Sequence, residues 1–271
     1  MEGTLLLAGC GKMGGVLLDG WLKGGLRAGD IAVVEPDETT AKAVAERHQV
    51  TVVDDSARLP PGFAPATVVL AVKPQVMDDV APAYAGYAGP ETVFLSIAAG
   101  KTVAYFEDKL GPEAAIVRAM PNTPAAVGRG ITVAIANQRV GEVQKNRCHD
   151  LLEAVGEVAW IDDEGLMDAV TAVSGSGPAY VFLLVECLAR AGEEAGLPAA
   201  LSHQLARATV AGAGELLYRA SEPAAALRAN VTSPGGTTAA ALEILMGGDG
   251  LQPVLTRAIA EATKRSRELA G

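Results

Sequence analysis

Aromatic and charged residues are scarce in this chain of 271 residues, at 4% and 20% of the total. The formal net charge is −10 and no basic tract or aromatic stacking platform is visible. These absences argue against a nucleic acid or an anionic membrane surface as the main partner. Apolar residues are abundant at 49% and are mostly Ala, Val and Leu, which suits closely packed helices and parallel strands.

Cysteine and histidine are also few, with three of each. The cysteines are odd in number and contain no C-x-x-C pair, so neither a disulfide framework nor a zinc site is predicted: Cys10, Cys148 and Cys187. We interpret all three histidines as surface residues: His48, His149 and His203. We find no Ser-His-Asp arrangement and no cluster of metal ligands, and therefore expect no metal site.

Signals for export or membrane insertion are missing from the sequence. The N-terminus lacks the basic region and the long apolar core of a signal peptide. The longest apolar stretch, residues 179–189, is interrupted by Glu186 and is too short by itself to cross a bilayer. We therefore expect a protein of the reducing cytoplasm with no membrane partner.

The start of the chain carries a dinucleotide-binding pattern. An apolar strand over residues 4–8 leads into Gly9-Cys10-Gly11-Lys12-Met13-Gly14, which is followed by an apolar helix and a second strand over residues 31–34. In this pattern Gly9 permits the turn, Gly11 lets the backbone approach a pyrophosphate, and Gly14 lets helix and strand pack closely. We expect a Rossmann-type unit that binds a nicotinamide cofactor.

Glu35 ends the second strand, 21 positions after Gly14 and close to the offset of the acidic residue in that fingerprint. A carboxylate there would accept a hydrogen bond from the ribose 2′-hydroxyl and repel a 2′-phosphate, which favours NADH over NADPH. The alternative is a solvated strand end before Pro36.

Strands and helices continue to alternate up to residue 162. This alternation predicts an α/β domain over residues 1–162 with a parallel sheet. Three loops of small residues, proline and asparagine follow strand ends, where ligands bind in open α/β sheets. They contain Ala71-Val72-Lys73-Pro74, Ala98-Ala99-Gly100 and Pro121-Asn122-Thr123-Pro124.

Residues 163–271 lack strand patterns and predict an all-helical domain, with a break at residues 174–178. Tyr180-Val181-Phe182-Leu183-Leu184-Val185 is apolar on nearly every side of a helix. A helix that is apolar all round favours burial in the interface of a homodimer. The alternative is an ordinary core helix.

The most distinctive segment of the helical half is Val231-Thr232-Ser233-Pro234-Gly235-Gly236-Thr237-Thr238. A tight turn that enters a helix directs several free N–H groups at one spot, where the helix dipole favours an anion. Small residues would let a carboxylate approach closely. The alternative is an ordinary helix N-cap.

Together, these segments resemble pyrroline-5-carboxylate reductase, and the resemblance covers the whole chain. It implies a Rossmann domain followed by an all-α domain that interlocks two subunits, with dimers that often assemble into decamers. Gly14 stands where many members have alanine, a departure that should be benign. Glu35 stands where many members carry small or polar residues and accept NADPH.

The resemblance also implies roles for the residues of each segment. The cofactor would lie over Gly9 to Gly14, beside Ala71 to Pro74 and Ala98 to Gly100. The substrate carboxylate would lie on the turn from Ser233 to Thr238, contributed by the partner subunit. The Thr238 hydroxyl would approach the ring nitrogen as a positioning group, and Asn122 would lie near the nicotinamide.

Two other classes of protein remain open from the sequence. A β-hydroxyacid dehydrogenase has a similar architecture but needs an acid–base lysine beside its substrate, and the helix after Pro178 offers Arg190 and no lysine. A non-catalytic NAD(H)-sensing module would keep the glycine-rich loop but would not need the turn at residues 233–238.

Overall fold

A sheet of eight strands organises the first part of the computed structural model, which describes residues 4–270. The strand order is β3-β2-β1-β4-β5-β6-β7-β8. The strands are β1 (Leu5–Ala8), β2 (Ile31–Val34), β3 (Thr51–Val53), β4 (Thr67–Leu70), β5 (Val93–Ser96), β6 (Ala115–Met120), β7 (Gly130–Ala136) and β8 (Gly156–Trp160).

The sheet is parallel except at one pair, so the prediction of a fully parallel sheet is wrong for β7. This strand runs antiparallel to β6, with Val117 opposite Ala136 and Met120 opposite Val133. Only residues 121–129 join the two strands, and they form a short 3₁₀ turn. A parallel pair needs a crossover of a dozen or more residues, which this connection is too short to provide.

Helices alternate with the strands up to β8 and make up the rest of the chain, as the sequence predicts; the short helical turns between residues 74 and 87 have no clear sequence signal. The helices are α1 (Lys12–Lys23), α2 (Glu38–His48), α3 (Met77–Val80), α4 (Val103–Leu110), α5 (Glu142–Glu153), α6 (Met167–Val170), α7 (Gly177–Glu194), α8 (Ala199–Arg219), α9 (Ala224–Asn230), α10 (Thr237–Leu245) and α11 (Leu251–Ala270). The break predicted at residues 174–178 is only partly present: a π-helical turn, Thr171–Gly175, precedes α7, which already begins at Gly177.

The core lies on both faces of the sheet, as a parallel sheet covered by helices requires. In β1, Leu5 and Leu7 pack on one face, and Leu6 and Ala8 pack on the other. Trp21 of α1 is fully buried on the first face. This alternation along a short, wholly buried strand fixes the register of β1, and hence the position of the loop that follows it.

Residue contacts divide the chain into two compact units. The first ends at Gly175 and also contains the end of α11 from Thr263 onward, and the second is Ser176–Ala262. The end of α11 is tied to the first unit because the Ser266 hydroxyl donates to Asp168 Oδ1 at 2.7 Å. The strands themselves end before residue 162, where the sequence analysis placed the domain boundary.

Large apolar side chains are exposed along the second unit. On α7, the exposed fractions are 46% for Val181, 63% for Phe182, 56% for Leu183 and 48% for Leu184. By length and composition alone, the helical run Glu164–Glu194 could cross a membrane. This run extends well beyond the apolar stretch of residues 179–189, and a single helix of this kind is weak evidence for a membrane span.

Candidate active site

The glycine-rich loop joins β1 to α1 as the sequence predicts. Gly9 has φ +86°, a conformation that side chains with a Cβ rarely adopt, and its N–H donates to Val34 O at 2.9 Å. Gly11 is the N-cap of α1, and no side chain caps this helix end. The Gly15 N–H is the first to bond back into the helix, to Gly11 O at 2.8 Å. The preceding N–H groups of Lys12, Met13 and Gly14 are thus directed at the N-terminal end of the helix.

The remaining two glycines of the loop have different surroundings. A Cβ built on Gly11 meets nothing within 4 Å, whereas a Cβ on Gly14 would overlap the backbone carbonyl oxygen of Gly9. Helix and strand therefore lie too close for a side chain at Gly14, in agreement with the close packing predicted for this glycine. The open space at Gly11, beside free N–H groups, fits a pyrophosphate.

Glu35 lies at the end of β2, is 8% exposed, and holds the loop from the side. Its Oε2 accepts the Cys10 N–H at 2.8 Å, and its Oε1 accepts the Asp37 N–H at 3.1 Å. Burial, followed by the negative charge of Glu35, raises the pKa of the Cys10 thiol to about 11. Cys10 is therefore a neutral thiol at physiological pH.

The loops expected to hold the nicotinamide end follow adjacent strands. The register pairs Ala8 with Leu70 and Leu70 with Ser96, so β1, β4 and β5 end at the same edge of the sheet. The Ser96 hydroxyl accepts the Ala98 N–H at 3.2 Å and turns the chain after β5. The segments Ala71-Val72-Lys73-Pro74 and Ala98-Ala99-Gly100 thus lie where an open α/β sheet binds ligands.

An exposed cluster braces these two loops against each other. Asp78 of α3 accepts the Tyr105 hydroxyl at 3.0 Å and the Lys101 ammonium at 3.3 Å. Burial of the phenol, together with the hydrogen bond to Asp78, raises the pKa of Tyr105 to about 12. The cluster joins the segment after β4 to the helix after β5, which limits movement of the loops between them.

Asn122 lies two residues past β6 at this edge of the sheet and is buried. Its amide donates to Ser174 O at 3.1 Å and accepts the Ile131 N–H at 3.0 Å. Ser174 belongs to the π-helical turn, a feature frequent at functional sites. A Cβ on Gly175 would collide with the Met120 side chain. Asn122 therefore positions the π-turn against the end of β6.

The segment at residues 233–238 forms the tight turn that the sequence predicts. The Gly236 N–H donates to Ser233 O at 3.0 Å, Pro234 takes the second position, and Gly235 has φ +69°. These features match a type II turn. Helix α10 begins at Thr237, and the Ala240 N–H is the first to bond back, to Gly236 O at 3.2 Å. The turn is exposed and Thr238 is half-buried.

Some residues that shape the site were missed by the sequence analysis. Arg118 is 6% exposed on β6 and donates to Glu164 Oε1 at 2.6 Å. The same oxygen accepts the Val103 N–H at 2.9 Å, at the start of α4 just after the loop of residues 98–100. His48 is also not a surface residue, because its side chain is 11% exposed and lies 3.2 Å from Asp19.

No group of three or more potential metal ligands occurs within residues 4–270. The three cysteines are unpaired, and Cys10 and Cys148 are buried.

Family comparisons match both parts of the chain. Residues 164–269 match the family described as pyrroline-5-carboxylate reductase dimerisation. Residues 4–100 match the family described as NADP oxidoreductase, coenzyme F420-dependent. The first match covers the helical segment with the exposed apolar side chains, and the second covers the glycine-rich loop and the loop after β5.

Individual proteins match over nearly the full length. A pyrroline-5-carboxylate reductase of Pseudomonas aeruginosa is 40% identical over 97% of this chain and 95% of its own. The solved structure of a pyrroline-5-carboxylate reductase from Coxiella burnetii has a TM-score of 0.93 and 33% identity, and each chain is fully covered. The Plasmodium falciparum pyrroline carboxylate reductase, solved with NADP bound, has a TM-score of 0.81 and 28% identity over 100% of this chain and 99% of its own.

Proposed function

The chain belongs to the pyrroline-5-carboxylate reductase family, and we propose on this basis that it reduces L-1-pyrroline-5-carboxylate to L-proline, the last step of proline biosynthesis. NAD(P)H supplies the hydride when bound. The observation that carries the proposal is this full-length family match, and the helix N-termini at Gly11 and at Gly236, which no side chain caps, agree with it. One suits a pyrophosphate and the other suits a small carboxylate.

The cofactor would be held by Gly9, Cys10, Gly11, Lys12, Met13 and Gly14, with Glu35 at the adenosine ribose. The segments from Ala71 to Pro74 and from Ala98 to Gly100 would flank the nicotinamide. Asn122 would lie near the nicotinamide and support it indirectly, because its amide group is already hydrogen-bonded to Ser174 O and the Ile131 N–H. These residues orient the cofactor and exclude water, while no side chain has to change its charge.

The substrate carboxylate would bind the turn formed by Ser233, Pro234, Gly235, Gly236 and Thr237, where the N–H groups at the start of α10 converge. Thr238 would place its hydroxyl at the ring nitrogen. Hydride addition to the C=N carbon moves the π electrons onto nitrogen, which already carries a proton in the iminium form. The reaction therefore needs positioning and no strong general acid, in agreement with the residues present.

The exposed apolar side chains of the second unit support a homodimer in which α7 is covered by a second copy. In this dimer the turn at residues 233–238 of one subunit would complete the cofactor site of its partner.

Dimers would assemble further into a decamer. The unpaired cysteines suit the reducing cytoplasm, where we place the enzyme.

The direct test is NAD(P)H oxidation by the purified chain with L-1-pyrroline-5-carboxylate at neutral pH, followed by identification of proline. Turnover is expected. Cofactor binding without turnover would instead support a sensing module. Turnover of a β-hydroxyacid but not of the imine would support the dehydrogenase alternative. The six-membered homologue of the imine, assayed alongside, defines the ring size that the site accepts.

Thr238→Ala is expected to lower kcat/KM for the imine by roughly 10- to 100-fold, the equivalent of one or two lost hydrogen bonds. Thr238→Ser keeps the hydroxyl and should retain most of the activity. The measurement is steady-state kinetics at saturating NADH. Unchanged kinetics in the alanine variant would remove Thr238 from the mechanism.

The wild-type enzyme is expected to use NADH with a kcat/KM at least about tenfold above that for NADPH, because a buried carboxylate at the ribose repels a 2′-phosphate. The assay compares both cofactors at a fixed concentration of imine. A clear preference for NADPH would show that the charge of Glu35 does not act on the ribose.

A further inference from the structure

The Glu35 carboxylate is bonded to the main chain on two sides. One oxygen accepts the Cys10 N–H inside the glycine-rich loop, and the other accepts the Asp37 N–H just before α2. The Glu35 N–H itself donates to Val53 O at 2.9 Å, so the residue is anchored in line with β3. The carboxylate is thus a rigid link between the end of β2 and the loop that would receive the pyrophosphate.

The loop depends on this link because Cys10 is 4% exposed. Without an acceptor, its N–H would be a buried donor without a partner, an arrangement that folded proteins avoid. The loop would then move so that the Cys10 N–H reaches water or another acceptor. Since Gly9 and Gly11 flank Cys10, such an adjustment would move the N–H groups that face the cofactor.

The surroundings of the carboxylate are acidic on the side away from the loop. Asp37 and Glu38 follow at once and are exposed. Two cations nearby are already engaged, Arg58 with Asp54 at 2.9 Å and Lys42 with Glu46 at 4.0 Å. A 2′-phosphate would therefore meet a negative potential at this end of the site.

We infer that Glu35 is a positioning residue that holds the glycine-rich loop in its cofactor-binding conformation, in addition to disfavouring a 2′-phosphate by its charge. This inference rests on the proposed function for the identity of the cofactor. One carboxylate serves two purposes, so a replacement that changes the cofactor preference without weakening binding must keep an acceptor for the Cys10 N–H. If Glu35 only repelled the 2′-phosphate, no replacement of it would weaken NADPH binding. If Glu35 also holds the loop, a replacement that cannot accept the Cys10 N–H will weaken NADPH binding.

Two conservative variants separate the roles. Glu35→Asp keeps the charge but is shorter by one C–C bond, about 1.5 Å, and should not reach the Cys10 N–H. Glu35→Gln keeps the reach and one carbonyl oxygen that can accept this N–H, but it removes the charge and leaves its NH2 facing the N–H of the exposed Asp37, which must then bond to water. Glu38→Gln removes a neighbouring exposed charge and is the matched control.

The readout is the dissociation constant of NADH and of NADPH, measured by fluorescence titration without imine. Glu35→Asp should weaken both cofactors by about tenfold, including NADPH, the loss expected for one hydrogen bond. Glu35→Gln should shift the NADPH-to-NADH affinity ratio by about tenfold or more toward NADPH, as expected when a like charge is removed. Glu38→Gln should change neither constant by more than about twofold.

Hydrogen exchange of the peptide that spans the glycine-rich loop gives a second readout. Exchange should accelerate in Glu35→Asp and stay near wild type in Glu35→Gln. NADPH binding and exchange that stay at wild-type values in Glu35→Asp would overturn the inference. Failure of the wild type to reduce the imine would contradict the proposed function but not this inference, because the titrations require no turnover.

Discussion

Replacing Gly11 with valine is expected to weaken binding of NADH and NADPH by roughly 100-fold or more, about 2.7 kcal/mol, without lowering the melting temperature. The backbone at Gly11 has φ −69° and ψ −159°, an extended conformation that any residue adopts, and a Cβ there meets no atom within 4 Å. The unliganded fold therefore has room for a Cβ at this position, with no atom near enough to meet it. A pyrophosphate on the N–H groups of α1 would have to occupy the same space.

Two neighbouring glycines provide the comparison for this variant. A Cβ at Gly15 has Cys10 O, at 3.9 Å, as its nearest neighbour, so Gly15→Ala should bind cofactor as the wild type does. Gly14→Ala should lower the melting temperature as well as the affinity, because its Cβ would overlap the Gly9 carbonyl. Calorimetric melting and fluorescence titration distinguish the three variants. Tight cofactor binding by Gly11→Val would place the pyrophosphate elsewhere.

The first half of the fold could be predicted because its signals are local. Short apolar runs ended by glycine or proline mark the buried strands, and the order of strand, glycine-rich loop and helix identifies the first crossover. The direction of β7 could not be obtained in this way, because it depends on the length of the connection after β6 and not on the pattern within the strand. The turns at residues 74–87 were missed because Pro74, Pro82 and Gly86 leave only short uninterrupted runs, too short for a clear helical period.

The residues of the site fall into the same two groups, those with a local sequence signal and those without one. Backbone amides at the starts of α1 and α10 can be inferred from glycine, proline and threonine in sequence. The contacts that hold those backbones link distant positions: Cys10 and Glu35 are 25 residues apart, Arg118 and Glu164 are 46, and Asn122 and Ser174 are 52. No periodicity connects such pairs. A buried polar residue at a strand end, such as Arg118, is the one signal that invites a search for a partner.

Phe182→Glu is expected to convert the enzyme to monomers and to reduce its activity by roughly 100-fold or more. Phe182 is 63% exposed on α7 in the single chain, within the segment that matches the dimerisation family. A glutamate would be solvated in the monomer but would lose its hydration in each copy of a symmetric apolar interface. The control is Val143→Glu, which places the same charge at a 72% exposed valine of the sheet domain. Sedimentation analysis and steady-state kinetics follow the two variants.

If each active site combines the glycine-rich loop of one subunit with the turn at residues 233–238 of its partner, a monomer has no complete site and should lose activity. Gly11→Val and Thr238→Ala subunits, each impaired as a homodimer, should then complement each other after joint unfolding and refolding. Half of the dimers in an equal mixture are mixed, and each of these has one site with both parts intact, so activity should recover to roughly a quarter of wild type. If both parts of a site came from the same chain, mixing would restore nothing.

Recovery in the mixture, together with an inactive Phe182→Glu monomer, would show that the apolar face of α7 brings the substrate turn to the cofactor. A fully active monomer would contradict the shared site outright.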